Sequence, residues 1–173
     1  MKRLVSIACS VALYFVPAFA ERNPKGATMT DQQFVDFAAQ TDMMEANLGQ
    51  LAASNATGQG VKDYAQMLVT DHTTDYNQLN SVAAKASLNV PKGLDAQHDR
   101  MIAPFEKLHG TAFDRHYLQE MVSGHTKAIS IYEKEAQEAQ NADLKAHANE
   151  ALPVLRKHLD SAKDLEKGKS SKM

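Results

Sequence analysis

Four long stretches of the chain carry apolar residues at the three-and-four spacing of an α-helix, and each stripe is interrupted by one strongly polar residue. The first runs through Phe34, Ala38, Thr41, Glu45, Leu48 and Ala52, and the second through Val61, Ala65, Leu68, His72, Tyr76 and Leu79. The third carries Leu118, Met121, His125, Ile129 and Tyr132. The fourth carries Leu144, Ala148, Ala151, Leu155, His158, Ala162 and Leu165. Helices that each hide one face must hide it against one another, so the pattern predicts an all-α four-helix bundle. Composition agrees, because good helix formers dominate while β-branched and aromatic residues are sparse.

Local signals set the expected boundaries. Thr30 with Gln33 forms a capping box at the head of the first helix, and Asn55 to Gly60 breaks the chain before the second, which reaches about Ser87. Leu88 to Gly93 reads as a loop, and Leu94 to Leu108 as a shorter helical piece interrupted by Pro104. Thr111 with Asp114 predicts a capping box for the third long helix, and Asn141 marks the turn before the fourth, which Pro153 should kink. The crossover between the second and third long helices is thus partly helical. Its helical part covers about 21 Å, which permits an up-down-down-up arrangement as well as up-down-up-down.

Residues 1–20 read as a signal peptide: Lys2 and Arg3, an apolar run from Leu4 to Val16, then Ala18-Phe19-Ala20 as the small-x-small cleavage site. The run is too short for a permanent membrane helix. A periplasmic or secreted protein beginning at Glu21 is expected, with residues 21–29 as a flexible leader, 30–167 as the bundle and 168–173 as a disordered tail. Cys9, the single cysteine, lies in the signal, and a lipobox ending there would leave almost no apolar segment ahead of it. The mature chain would have no thiol, which excludes disulfides, thiolate metal sites and cysteine nucleophiles. Of 19 basic residues Lys2 and Arg3 leave with the signal, and against 21 acidic ones the formal charge becomes −4. No basic patch points to nucleic acid.

Residues equidistant from a tight turn face each other across an antiparallel pair. By that mirror Glu45 and His72 share a level about 20 Å from the first turn, and His125 and His158 oppose each other about 25 Å from the Asn141 turn. Glu45, His72, His125 and His158 are therefore expected in one polar layer. Buried, they must find partners. They can hydrogen-bond to one another as a structural core, or they can ligate one transition-metal ion such as zinc, copper, iron or manganese.

Other residues carry less. Asp114 reads as a cap before it reads as a ligand, and Asp75 as a carboxylate orienting His72 or as a solvated flank. Met44, Met67 and Met121 lie near the stripe edges, as core packing or as thioethers that would suit copper. Tyr64, Tyr76, Tyr117 and Tyr132 are expected to cover the core with hydroxyls reaching water or a polar partner. His98, His109, His116 and His147 are expected at the surface. No phosphate loop, nucleophile elbow or His-Glu-x-x-His is present, so no catalytic residues are assigned.

The runs "EANLGQLA" with Glu45, "YAQMLVTDH" with His72, "FDRHYLQEMVSGH" with His125 and "LPVLRKHLDSAKDL" with His158 together resemble an exported bacterial family, domain of unknown function 4142, over Phe34 to Leu165. The resemblance implies a ferritin-like bundle and an envelope location, with no agreed activity. Ferritin-like di-iron proteins place a Glu three residues before each of two histidines. Here Val69, Val122 and Leu155 stand at those places before His72, His125 and His158. One Glu cannot bridge and charge-balance two irons, so a single ion is the load to expect.

Overall fold

A computed structural model describes residues 29–168. The signal peptide, most of the leader and most of the tail expected above lie outside those residues. The described chain is all-α: α1 (Asp31–Asn55), α2 (Gln59–Lys85), α3 (Ala96–Ile102), a 3-10 turn (Phe105–Lys107), α4 (Gly110–Glu138) and α5 (Ala142–Glu166). The capping box at α1 is formed, with Gln33 N donating to Thr30 Oγ1 at 3.2 Å and Thr30 N to Gln33 Oε1 at 2.9 Å. Asn141 caps α5 by accepting from Asp143 N and Leu144 N. α5 continues through Pro153 without a break.

The expected capping box at Thr111 and Asp114 does not form. α4 begins at Gly110, whose φ of +61° suits a residue without a Cβ. Asp114 instead reaches the first turn, accepting from Thr57 N at 3.0 Å and Gly58 N at 2.8 Å. It is the carboxylate at the head of α2, where free N–H groups and the helix dipole favour negative charge.

That contact also fixes the topology. α4 starts beside the α1–α2 turn, where α2 starts, so the two run parallel; Leu165 near the end of α5 lies against Gly60 at the same end. The order is up-down-down-up, with α1–α2 and α4–α5 as antiparallel hairpins. The crossover is held along the bundle by two glutamines of α1. Gln32 exchanges two bonds with the Asn89 backbone, and Gln40 bonds to Gly93 O and Asp95 N. Tyr76 donates to Pro91 O at 2.7 Å, and Asn55 to Phe105 O at 3.2 Å.

The interior consists of two apolar clusters. One, toward the α1–α2 turn, holds Leu48, Tyr64, Leu68, Phe105, Phe113, Tyr117 and Met121. The other, toward the opposite end, holds Phe34, Ala38, Leu79, Tyr132, Leu144 and Leu155. Between the two clusters lie buried polar residues of all four long helices: Asp42 and Glu45 on α1, His72 on α2, His125 on α4 and His158 on α5.

Candidate metal centre

The helical stripes turn these four side chains inward, and the parallel placement of α2 and α4 sets them at one depth. Their exposures are 1%, 3%, 0% and 0% in the order Glu45, His72, His125, His158. Glu45 Oε2 lies 2.9 Å from His72 Nε2 and 3.3 Å from His125 Nε2. His125 Nε2 lies 3.2 Å from His158 Nδ1. The three rings have centroids 5.2 to 5.7 Å apart, and one nitrogen from each histidine lies within 4.8 Å of those of the other two. A tetrahedral ion with bonds of about 2.0 Å holds its donors about 3.3 Å apart, so the shorter of these separations already have that size.

The outer nitrogen of each ring is committed elsewhere. His72 Nδ1 lies 2.8 Å from Asp42 Oδ1, His125 Nδ1 2.9 Å from Met121 O, and His158 Nε2 2.8 Å from Asp71 Oδ2. A peptide oxygen only accepts, so His125 Nδ1 carries the proton; where the carboxylate oxygens of Asp42 and Asp71 accept likewise, a neutral ring turns its lone pair inward. With all three rings neutral, three lone pairs face a carboxylate. The contact between Glu45 and His72 is short, yet Glu45 Oε2 and His72 Nε2 are both buried without an aligned hydrogen bond. Acceptors gathered in this way, away from water, require a cation or a proton.

The electrostatics of the layer follow from that crowding. Burial pushes the Glu45 carboxyl up, but His125 and His72 outweigh it and hold the group down at about 2. Burial lowers His72, yet Glu45 and Asp42 on its two sides raise it well above the ordinary imidazole value. Burial pulls His125 down against Glu45, and burial with the His72 charge takes His158 to about 4. Burial lifts Asp42 to about 7 against the opposing pull of His72. Without an ion the layer is thus a Glu45 carboxylate beside a protonated His72, with two neutral histidines.

Two of the partners were not singled out in the sequence. Asp42 and Asp71 have the look of helix-flank carboxylates, but Asp42 is only 2% exposed. The signal for Asp42 was present: it lies one turn before Glu45, and the mirror that pairs Glu45 with His72 pairs Asp42 with Asp75. Asp42, not Asp75, orients His72. Asp75 instead pairs with His147, whose Nε2 lies 3.7 Å from Asp75 Oδ2. His147, expected at the surface, is 3% exposed, because it follows Leu144 by one turn and faces Tyr132 across the hairpin. His109 and His116 are exposed, and His98 is half-buried against Asp95. Tyr64 and Tyr117 also depart from expectation, since both are wholly buried and their hydroxyls have no hydrogen-bond partner. Met44 and Met121 pack in the cluster toward the α1–α2 turn.

A four-helix bundle divided by a histidine and carboxylate layer is the class of protein that fold and site define. Within it the chain belongs to the family Domain of unknown function (DUF4142), whose profile matches residues 16–165. Its fold is shared by CopM in the Cu(II)-bound form, with a TM-score of 0.69 and 14% identity over 82% of this chain and 99% of that one. CopM in its silver-bound form gives 0.66 and 13% over 82% and 98%. A DUF305 fragment from Deinococcus radiodurans gives 0.69 and 14% over 82% and 99%. No curated protein matches the chain. Among the described residues no helix is long and apolar enough to cross a membrane.

Proposed function

We propose that this protein is an exported bundle that holds one transition-metal ion between Glu45, His72, His125 and His158. The observation that carries the reading is the set of outer hydrogen bonds, which turns the remaining nitrogen of each of three imidazoles toward the others and toward the Glu45 carboxylate in a buried layer. Imidazoles with one carboxylate suit zinc, copper, iron and manganese, and copper(II) leads the divalent series in affinity for such donors. CopM in the Cu(II)-bound form has a similar bundle, which supports copper as the first ion to offer. A bound ion would supply a storage, sensing or redox centre. The chain's own part is to fix three ring tautomers through Asp42, Met121 O and Asp71, to balance charge with Glu45, and to exclude water.

The test is the metal content of the mature protein, purified without a histidine tag and offered copper(II), zinc and manganese in turn. About one ion per chain is expected, lost on changing His125 to Leu. A chain that takes up none of these ions supports the second reading, a structural layer filled by protons, which draws on the 3.2 Å contact between His125 and His158. Export is tested by N-terminal sequencing of protein from the cell envelope, where Glu21 should be the first residue.

A further inference from the structure

The layer is closed on one side and floored by a cleft on the other. Glu45 and His125 are sealed among helices, whereas His72 and His158 line a cleft of about 230 Å³ between α2 and α5. Its walls carry Asp71, Asp75 and Glu150, with Val154, 40% exposed, among the lining residues. Among the described residues no lysine or arginine lines it. Asp71 spans the two environments: it accepts from His158 Nε2 at 2.8 Å while remaining 35% exposed.

We propose that this cleft is the loading route of the metal centre, in which Asp71, Asp75 and Glu150 draw a hydrated divalent cation toward His158 and His72. The inference rests on the metal-binding reading above. A low-dielectric cleft with carboxylates of one sign concentrates cations and raises their rate of association, an effect that fades with added salt. The two imidazoles at its floor are proposed ligands, so an ion that follows the cleft reaches the site from the side between α2 and α5. His147 is buried behind Asp75, with its Nε2 3.7 Å from that carboxylate.

The test uses rates, because a change confined to the route alters the speed of loading without altering the bound state. Val154→Arg adds bulk and positive charge to the cleft, and Met101→Arg, at a residue 38% exposed on the crossover, is the control. Association of copper(II) with the apo chain is followed by stopped-flow absorbance, and dissociation by transfer to excess chelator. Val154→Arg should slow both about tenfold and leave the dissociation constant within twofold, while the control matches the parent. Glu150→Gln should slow association about two- to threefold at low salt and flatten its dependence on ionic strength. A parent that binds one ion, with Val154→Arg loading at the parental rate, would overturn the route alone. A parent that binds no ion overturns the metal reading and the route with it.

Discussion

His72 is the residue on which the interior depends most heavily, because it stands between two buried carboxylates. Replacing it with Leu removes the imidazole that touches both Asp42 and Glu45, and a buried ion pair broken from one side costs about 3–5 kcal/mol. His125→Leu is milder at about 1–3 kcal/mol, since Glu45 keeps its contact with His72 and the groups that lose a hydrogen-bond partner are the neutral Met121 O and His158 Nδ1. Urea unfolding of the two apo variants at pH 7 should show that order. Glu135 supplies a separate residue-scale expectation. It is 3% exposed, its Oε1 has no partner, and burial with the nearby Asp31 charge raises its carboxyl from 4.5 to about 7. Below 4.5 both folded and unfolded chains hold this proton, so the group is neutral with respect to stability. Between 4.5 and about 7 the unfolded chain releases it first, and stability falls as pH rises through that window. Glu135→Gln should therefore leave the melting temperature nearly unchanged at pH 4 and raise it at pH 8.

At the scale of elements the bundle depends on how its hairpins close. Asp114 joins α4 to the head of α2 through two backbone bonds, and losing a capping carboxylate of this kind costs about 1–2 kcal/mol. Asp114→Ala should lower stability by that amount in apo and metal-loaded protein alike, as read by denaturant midpoint at unchanged slope, because the contact lies at the end of the bundle and not at the layer. The helices themselves were legible in the sequence, since periodicity and caps such as Thr30 and Asn141 are local properties. The role of Asp114 was not. Its position three residues after Thr111 has the spacing of a cap, and only the topology shows that Thr57 and Gly58 lie nearer. His147 was hidden for a related reason: a polar residue at the edge of a stripe is buried or exposed according to what faces it, here Tyr132 and Asp75. The level of Glu45 with His72, and of His125 with His158, could be read from the turns alone, because antiparallel pairs are mirrors. Asp71 could not, as its partner His158 lies on the other hairpin.

At the scale of the whole molecule, the layer divides the interior into two apolar clusters and draws on both hairpins, Glu45 and His72 from one, His125 and His158 from the other. An ion held there would tie together two halves joined covalently only by the crossover. Ligation by the folded chain alone stabilises it by mass action, about 4 kcal/mol at a free ion concentration a thousand times the dissociation constant. That gain should appear as a higher melting temperature on adding copper(II) to the mature protein and disappear on adding chelator. Because the donors come from four helices, amide exchange should slow in both hairpins together, around Leu48 and Leu68 as well as around Met121 and Leu155. The His125→Leu variant should show neither response. Stabilisation confined to one hairpin, or retained in that variant, would place the ion elsewhere on the chain, whereas equal melting temperatures with and without copper would leave the layer as a hydrogen-bonded core.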